Sequence, residues 1–246
     1  MWSLAADEAR IFLVDPASLE PAAAAARYGD WLAPDELARW RRYIPPVVRH
    51  EFMVTRGLGR RVLAELLGAE PRALSFELGP YGRPELRDAA APPMAPGRRL
   101  RFNLSNTRGL VACAVAWDVD IGVDVEAMDR ATETVGVADR FFSEAEVAGL
   151  RALAPEKQRR RFFELWTLKE AYIKARGLGL AIPLGSFSFS LGGAARPTAT
   201  FDESAGDPGG GWFFEQAFPS PRHAMALAVR GAPGPLRTIV TWLDAP

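Results

Sequence analysis

One cysteine and two histidines in 246 residues leave little room for several common chemistries. Cys113 has no partner for an internal disulfide, which fits a reducing compartment, and in the apolar run LVACAVAW it reads as a small core residue rather than a nucleophile. His50 and His223 are too few and too scattered for a zinc site. Long apolar runs are missing as well. Nothing approaches the roughly 18 to 20 residues of a membrane span, and the start, MWSLAADEARIFLV, has no basic segment ahead of an apolar core. The expectation is a cytoplasmic chain with no membrane partner. Net charge is absent too: 30 Lys+Arg balance 30 Asp+Glu without a concentrated basic stripe, which disfavours nucleic acid. Any anionic ligand must be met locally.

What remains, 48% hydrophobic and 24% charged residues, is the composition of a globular chain long enough for one large domain or two lobes of roughly 120 residues. RIFLV (10–14) has strand character. A helix is predicted from Pro34 through LARWRRY, ended by Pro45-Pro46, and a longer one follows in VVRHEFMVTRGLGRRVLAELLG, with Gly68 as its C-terminal cap. Strand-like runs come next: LSFEL, RLRFNLS, LVACAVAW and DIGVDVEAM. Ser143 and Glu146 form a Ser-x-x-Glu capping box that opens a helix, and a second long helix is predicted over 156–176 with Gly177 after it. Five strand candidates follow: SFSFSL, TATF, WFFEQAF, MALAVRG and TIVTWL.

The segments after the two long helices resemble each other. ELLGAEPRALSFELG and GLGLAIPLGSFSFSLGG each place a glycine, a proline and an alternating Ser-Phe strand in that order. This weak repeat predicts two similar α+β lobes joined near Asp118 to Gly122, which places GVDVE (122–126) at the join, where small-ligand sites often lie.

GVDVE itself poses the chemical question. In an extended chain Asp124 and Glu126 share one face and Val123 and Val125 the other, so two like charges are held close together. An edge strand with a solvated face tolerates that. So does a hard-cation site, since Mg²⁺ takes oxygen ligands from one or two carboxylates plus substrate phosphates. Further on, FFELWTLKEAYIKARGLG sets Trp166, Glu170 and Lys174 at four-residue spacing with Lys169 beside them. Alone, Glu170 and Lys174 read as a surface pair and Trp166 as core; beside GVDVE they supply a third acid and two ammonium groups for a metal and diphosphate.

Together these residues resemble a known family. GVDVE matches a G-[IV]-D-x-E motif, and FSEAE followed by LWTLKEAYIKARGLGL matches F-[SA]-x-x-E followed by W-x-x-K-E-[SA]-x-x-K-x-x-G. The chain resembles a 4′-phosphopantetheinyl transferase of the larger, pseudo-dimeric, surfactin-activating type. The resemblance reaches back through FNLSNTRGLVACAV, YGRPEL and RRYIPPVVRHEF, covering most of residues 35–190. It implies an α+β fold of two similar lobes with pseudo-twofold symmetry, each a small, mostly antiparallel sheet packed with a long helix, divided as 1–118 and 119–246 in a monomer.

The resemblance also implies roles. Asp124, Glu126 and Glu170 would coordinate Mg²⁺ with the diphosphate of coenzyme A, while Lys169 and Lys174 would face the phosphates or the transferred group. Arg83 and Pro84 would lie against the nucleotide, and Ser105 near the phosphates. Asn106 stands where the family usually has histidine, so it can donate a hydrogen bond but adds no charge. Of Arg49 and Arg56, Arg49 is favoured for the 3′-phosphate. The implied reaction moves phosphopantetheine to a serine of an apo acyl, peptidyl or aryl carrier protein, with Glu170 as the base and Glu146 in reserve. Lys157, Arg159, Arg160 and Arg161 would meet an acidic carrier surface, or form a solvated helix face. A Mg²⁺-dependent phosphohydrolase would use the same three acids with water. A non-catalytic carrier-binding module would not need them, and their presence argues against it.

Overall fold

The computed structural model describes residues 2–87, 97–192, 196–232 and 234–244. The chain packs as two compact units, Met1–Val119 with Ala232–Pro246, and Asp120–Gly231.

In the first unit, β1 (Glu8–Val14) leads to helices α1 (Pro21–Tyr28), α2 (Pro34–Arg42) and α3 (Pro46–Leu67), then to strands β2 (Phe76–Leu78), β3 (Pro84–Leu86), β4 (Leu100–Thr107) and β5 (Leu110–Trp117). The second unit runs through β6 (Asp120–Ala127), α4 (Thr134–Phe141), α5 (Glu144–Arg151), α6 (Pro155–Arg176), β7 (Phe187–Ser190), β8 (Thr198–Phe201), β9 (Trp212–Ser220) and β10 (His223–Arg230). The chain then returns to the first unit as β11 (Arg237–Trp242), parallel to β1.

Both units follow one plan. In the first, the sheet order is β11-β1-β5-β4, with β1 antiparallel to β5 and β4–β5 a hairpin; in the second it is β6-β10-β9, with β6 antiparallel to β10 and β9–β10 a hairpin. Each unit also carries a two-stranded ribbon, β2-β3 or β7-β8, directly after its long helix. The repeat legible after the long helices therefore extends to the whole order of elements. The fold is mixed α+β with small sheets.

The long helices start alike and stop alike. Each has proline in its first turn, where the missing N–H costs nothing, and each ends at a glycine in the left-handed region, Gly68 (φ 64°) or Gly177 (φ 67°). Leu58, Val62 and Leu66 of α3 share a core with Cys113 and Val115 of β5, and burial pushes the Cys113 thiol pKa up, as suits an inert core residue. In the second unit Leu168, Ala171 and Tyr172 of α6 pack with Ala224, Ala226 and Ala228 of β10.

Three features differ from expectation. Residues 232–246, expected in the second lobe, belong with the first unit, because the alternating RTIVTW pairs with the free edge of β1. Helix α1 is built from an alanine run without a side-chain cap, and α4 contains Gly136 and three β-branched residues. Each has eight residues, too few turns for an apolar stripe to stand out in sequence, and α4 is opened by Glu133, whose carboxylate accepts from the N–H groups of Val135 and Gly136.

Candidate functional site

On β6 the side chains alternate, so Gly122, Asp124 and Glu126 share the face toward α6 while Ile121, Val123 and Val125 line the other. Gly122 makes this possible. A Cβ there would lie 2.1 Å from the Ala171 carbonyl oxygen and 2.4 Å from the Ala175 nitrogen, so the backbone of α6 rests directly on the strand. The acids beyond Gly122 are thereby held against successive turns of the helix.

Lys174 Nζ lies 2.6 Å from Asp124 Oδ1 and donates to the Val123 carbonyl at 3.2 Å. Trp166 Nε1 donates to Glu126 Oε1 at 3.1 Å, and Arg130 Nη1 lies 3.0 Å from Glu126 Oε2. Glu170, one turn from each of Trp166 and Lys174, makes no hydrogen bond or ion pair among the described residues. The Glu170–Lys174 surface pair that the helix alone would suggest is not formed; Lys174 pairs instead across elements with Asp124. β6 is an edge strand, but its acids are not a solvated face: Asp124 is 5% exposed.

Burial, and then the Asp124 charge, raise the Glu126 pKa to about 7. The same two causes, in the same order, push Glu170 up, against the opposing pull of Lys174 and Arg130. Asp124 together with two carboxylates raised by burial and by its charge is a hard-oxygen donor set short of positive charge, and in donor chemistry the three fit Mg²⁺. In the structure Lys174 and Arg130 meet part of that need. Among the described residues no group of three or more His, Cys, Asp or Glu is arranged to hold a metal ion.

Two expected site residues lie elsewhere. Lys169, expected to face phosphates, is fully buried, with Nζ 2.7 Å from Glu146 Oε2 and 2.7 Å from each of the Leu184 and Phe187 carbonyl oxygens. An ammonium has three protons, and these three acceptors use them. Glu146, the reserve base, is 5% exposed and accepts from the Ser143 N–H (3.0 Å), the Ser143 hydroxyl (3.1 Å) and the Phe189 N–H (2.9 Å). Its capping role is the one the structure realises.

Among the basic residues expected to meet a carrier, Arg159 turns inward: it donates to the carbonyls of Met128 (2.5 Å), Thr132 (3.3 Å) and Arg130, tying the loop after β6 to α6. Arg160 and Arg161 share Glu164, and Lys157 is exposed. In the first unit, Arg49 is exposed at the start of α3 with its guanidinium over the Trp40 ring. Arg83 and Pro84 sit at the start of β3, and on β4 Ser105 is buried and Asn106 exposed.

The sequence reading missed Arg130 and the tryptophan bond to Glu126. Arg130 lies four residues beyond Glu126, a spacing that signals pairing on a helix but not in the loop where it falls.

The family model of the 4′-phosphopantetheinyl transferase superfamily matches residues 120–228, the segment that holds these acids and α6. The 4′-phosphopantetheinyl transferase HetI of Nostoc sp. is 39% identical over 150 residues, 61% of either chain. The 4′-phosphopantetheinyl transferase Sfp of Bacillus subtilis is 30% identical over 165 residues, 67% of this chain and 69% of that one. The match spans about three fifths of the length of HetI and of other curated relatives. Among solved structures, a holo-(acyl-carrier-protein) synthase from Bacillus anthracis in complex with CoA (3′,5′-ADP) matches 45% of this chain and 94% of that one, at 18% identity and a TM-score of 0.39.

Proposed function

Since the chain belongs to the 4′-phosphopantetheinyl transferase superfamily, we propose that it moves the 4′-phosphopantetheine group of coenzyme A onto a serine of an apo acyl, peptidyl or aryl carrier protein, releasing 3′,5′-adenosine bisphosphate. The observation that carries this reading is the set of Asp124, Glu126, Glu170 and Lys174 gathered between β6 and α6, inside the segment the family matches. The names of the relatives support the reaction class.

In this reaction the serine oxygen bonds to the phosphorus that carries pantetheine. The bond from that phosphorus to the bridging diphosphate oxygen breaks, and its electron pair leaves with the adenosine bisphosphate. The serine proton goes to a carboxylate. Glu170 is placed for that task, because it makes no hydrogen bond or ion pair among the described residues and stands one helical turn from Lys174. Lys174, 26% exposed beside Asp124, is placed to take a phosphate oxygen. Asp124, Glu126 and Glu170 would hold Mg²⁺, which when bound neutralises charge on the transferring phosphoryl oxygens. Trp166 and Arg130 keep Glu126 oriented.

We assign Arg49, Arg83, Pro84, Ser105 and Asn106 to the nucleotide and phosphates of coenzyme A. The repeated order of elements supports two similar lobes; we propose in addition that the chain acts as a monomer and in the cytoplasm. The test is the mass of a purified apo carrier after incubation with the chain, coenzyme A and Mg²⁺. It should rise by one phosphopantetheine group, and not with EDTA or with Asp124→Ala. Coenzyme A cleavage at the same rate without carrier would replace the transferase reading by a phosphohydrolase.

A further inference from the structure

The buried cation of α6 has a counterpart in the first unit. Both long helices have 22 residues, and Arg60 and Lys169 are each the fifteenth, counted from Pro46 and Pro155. Arg60 Nη2 lies 2.6 Å from Glu36 Oε2, and Arg60 Nη1 donates to the Pro71 and Leu74 carbonyls at 2.9 and 2.8 Å. Glu36 is the third residue of α2 and accepts from the Ala33 N–H at 3.0 Å; Glu146 is the third residue of α5 and accepts from the Ser143 N–H, also at 3.0 Å. The guanidinium of Arg60 lies 4.9 Å from the ring of Phe76, the first residue of β2, and the ammonium of Lys169 lies 4.3 Å from the ring of Phe187, the first residue of β7. Each unit therefore joins the start of one helix, the body of the next and the approach to a ribbon through one buried cation.

We propose that Lys169 and Glu146 are a positioning pair, the second copy of the clamp made by Arg60 and Glu36, which fixes the rotation of α6 so that Glu170 and Lys174 face Asp124. The two copies hold different neighbours. The residue after Arg60 is Arg61, whereas the residue after Lys169 is Glu170. The clamp is thus common to both units and the reactive face is particular to the second. A side chain anchored to α5 and to the carbonyls of Leu184 and Phe187, ahead of and at the start of β7, leaves α6 little freedom to turn, and a reacting group displaced by about 1 Å can lose on the order of 10²-fold in rate. In the first unit a guanidinium meets the same three kinds of acceptor, which makes Lys169→Arg the conservative variant. The inference rests on the transferase reading only for the work of Glu170 and Lys174.

The experiment compares Lys169→Arg, Lys169→Met, Glu146→Gln and the double variant Lys169→Met/Glu146→Gln in the full chain. Thermal melts without substrate should show each neutral single variant lowered by about 10 °C, the double lowered by clearly less than the sum, and Lys169→Arg restored. In carrier loading, Lys169→Met should lose kcat with coenzyme A KM within about 2-fold of the parent, and Lys169→Arg should rescue kcat. Additive melting losses overturn the pair. So does a Lys169→Arg protein of parental stability whose coenzyme A KM rises about 10-fold, because then the ammonium meets substrate. Should Lys169→Met not fold, Glu146→Gln and Lys169→Arg decide alone. A chain that folds but loads no carrier tests the transferase reading, and its melts still test the clamp.

Discussion

Replacing Gly122 by alanine adds one methyl group at the place where β6 and α6 touch. The new carbon would stand 2.1 Å from the Ala171 carbonyl oxygen, where ordinary contact begins at 3.4 Å, so helix and strand must part by roughly 1.3 Å. No flexible side chain can yield, because the atoms met belong to the helix backbone. Overpacking of this kind costs about 1–3 kcal/mol, which for a chain of this size lowers Tm by about 2–12 °C. The larger consequence is for chemistry. A gap of that size separates Glu170 and Lys174 from Asp124 and predicts a loss of carrier loading on the order of 10²-fold. Differential scanning calorimetry and a carrier-loading time course measure both effects. Gly149→Ala on α5, where an added Cβ meets nothing within 4 Å, is the control: carrier loading should be unchanged, and Tm should not fall but rise by about 1–4 °C, since alanine is the better helix former. A Gly122→Ala protein that melts and works like the parent would refute the close approach on which the site's geometry depends.

Other perturbations read other parts of the molecule. Asp124→Asn keeps the shape but removes the charge that pairs with Lys174, and carrier loading should fall on the order of 10²–10³-fold while circular dichroism stays that of a folded chain. In the metal-free protein Glu126 holds its proton up to about pH 7, whereas unfolded it releases it near 4.5. The unfolded state therefore binds fewer protons between these values, stability falls as pH rises through that window, and melts of Glu126→Gln should lack this fall. Asp207 accepts from Tyr172, Trp212, Arg176 and Arg230 with its side chain wholly buried, so Asp207→Ala leaves two arginines facing each other and should cost on the order of 3 kcal/mol by urea denaturation.

Much of this was legible before any coordinates. Glycine caps mark the ends of the long helices, Pro34 the start of α2 and the Ser143 capping box the start of α5, because those residues act locally, through φ and through single hydrogen bonds. The pairing of Asp124 and Glu126 on one face follows from the strand period alone. The partners of these acids were harder to read. Lys174 and Arg130 reach Asp124 and Glu126 across sequence distances or loop conformations that no local rule contains. Lys169 shows the opposite failure. A lysine inside a charge-rich motif invites a ligand role, and only its enclosure by Glu146, Leu184 and Phe187 reveals that its charge is spent within the protein.

The parallel strand β11 has a bearing on how the chain is made. All of its hydrogen-bonding partners on β1 lie near residue 10, yet β11 is made only after the whole of 120–231 has been translated. The second unit is continuous in sequence and can close its core as soon as it emerges, whereas the outer edge of β1 stays open until then. During that interval β1 offers an unpaired row of N–H and C=O groups, the kind of edge that recruits strands from other chains. Slow elongation between residues 120 and 237 should therefore harm the first unit, which lacks the acids and the ammonium of the site, before the second, which carries them.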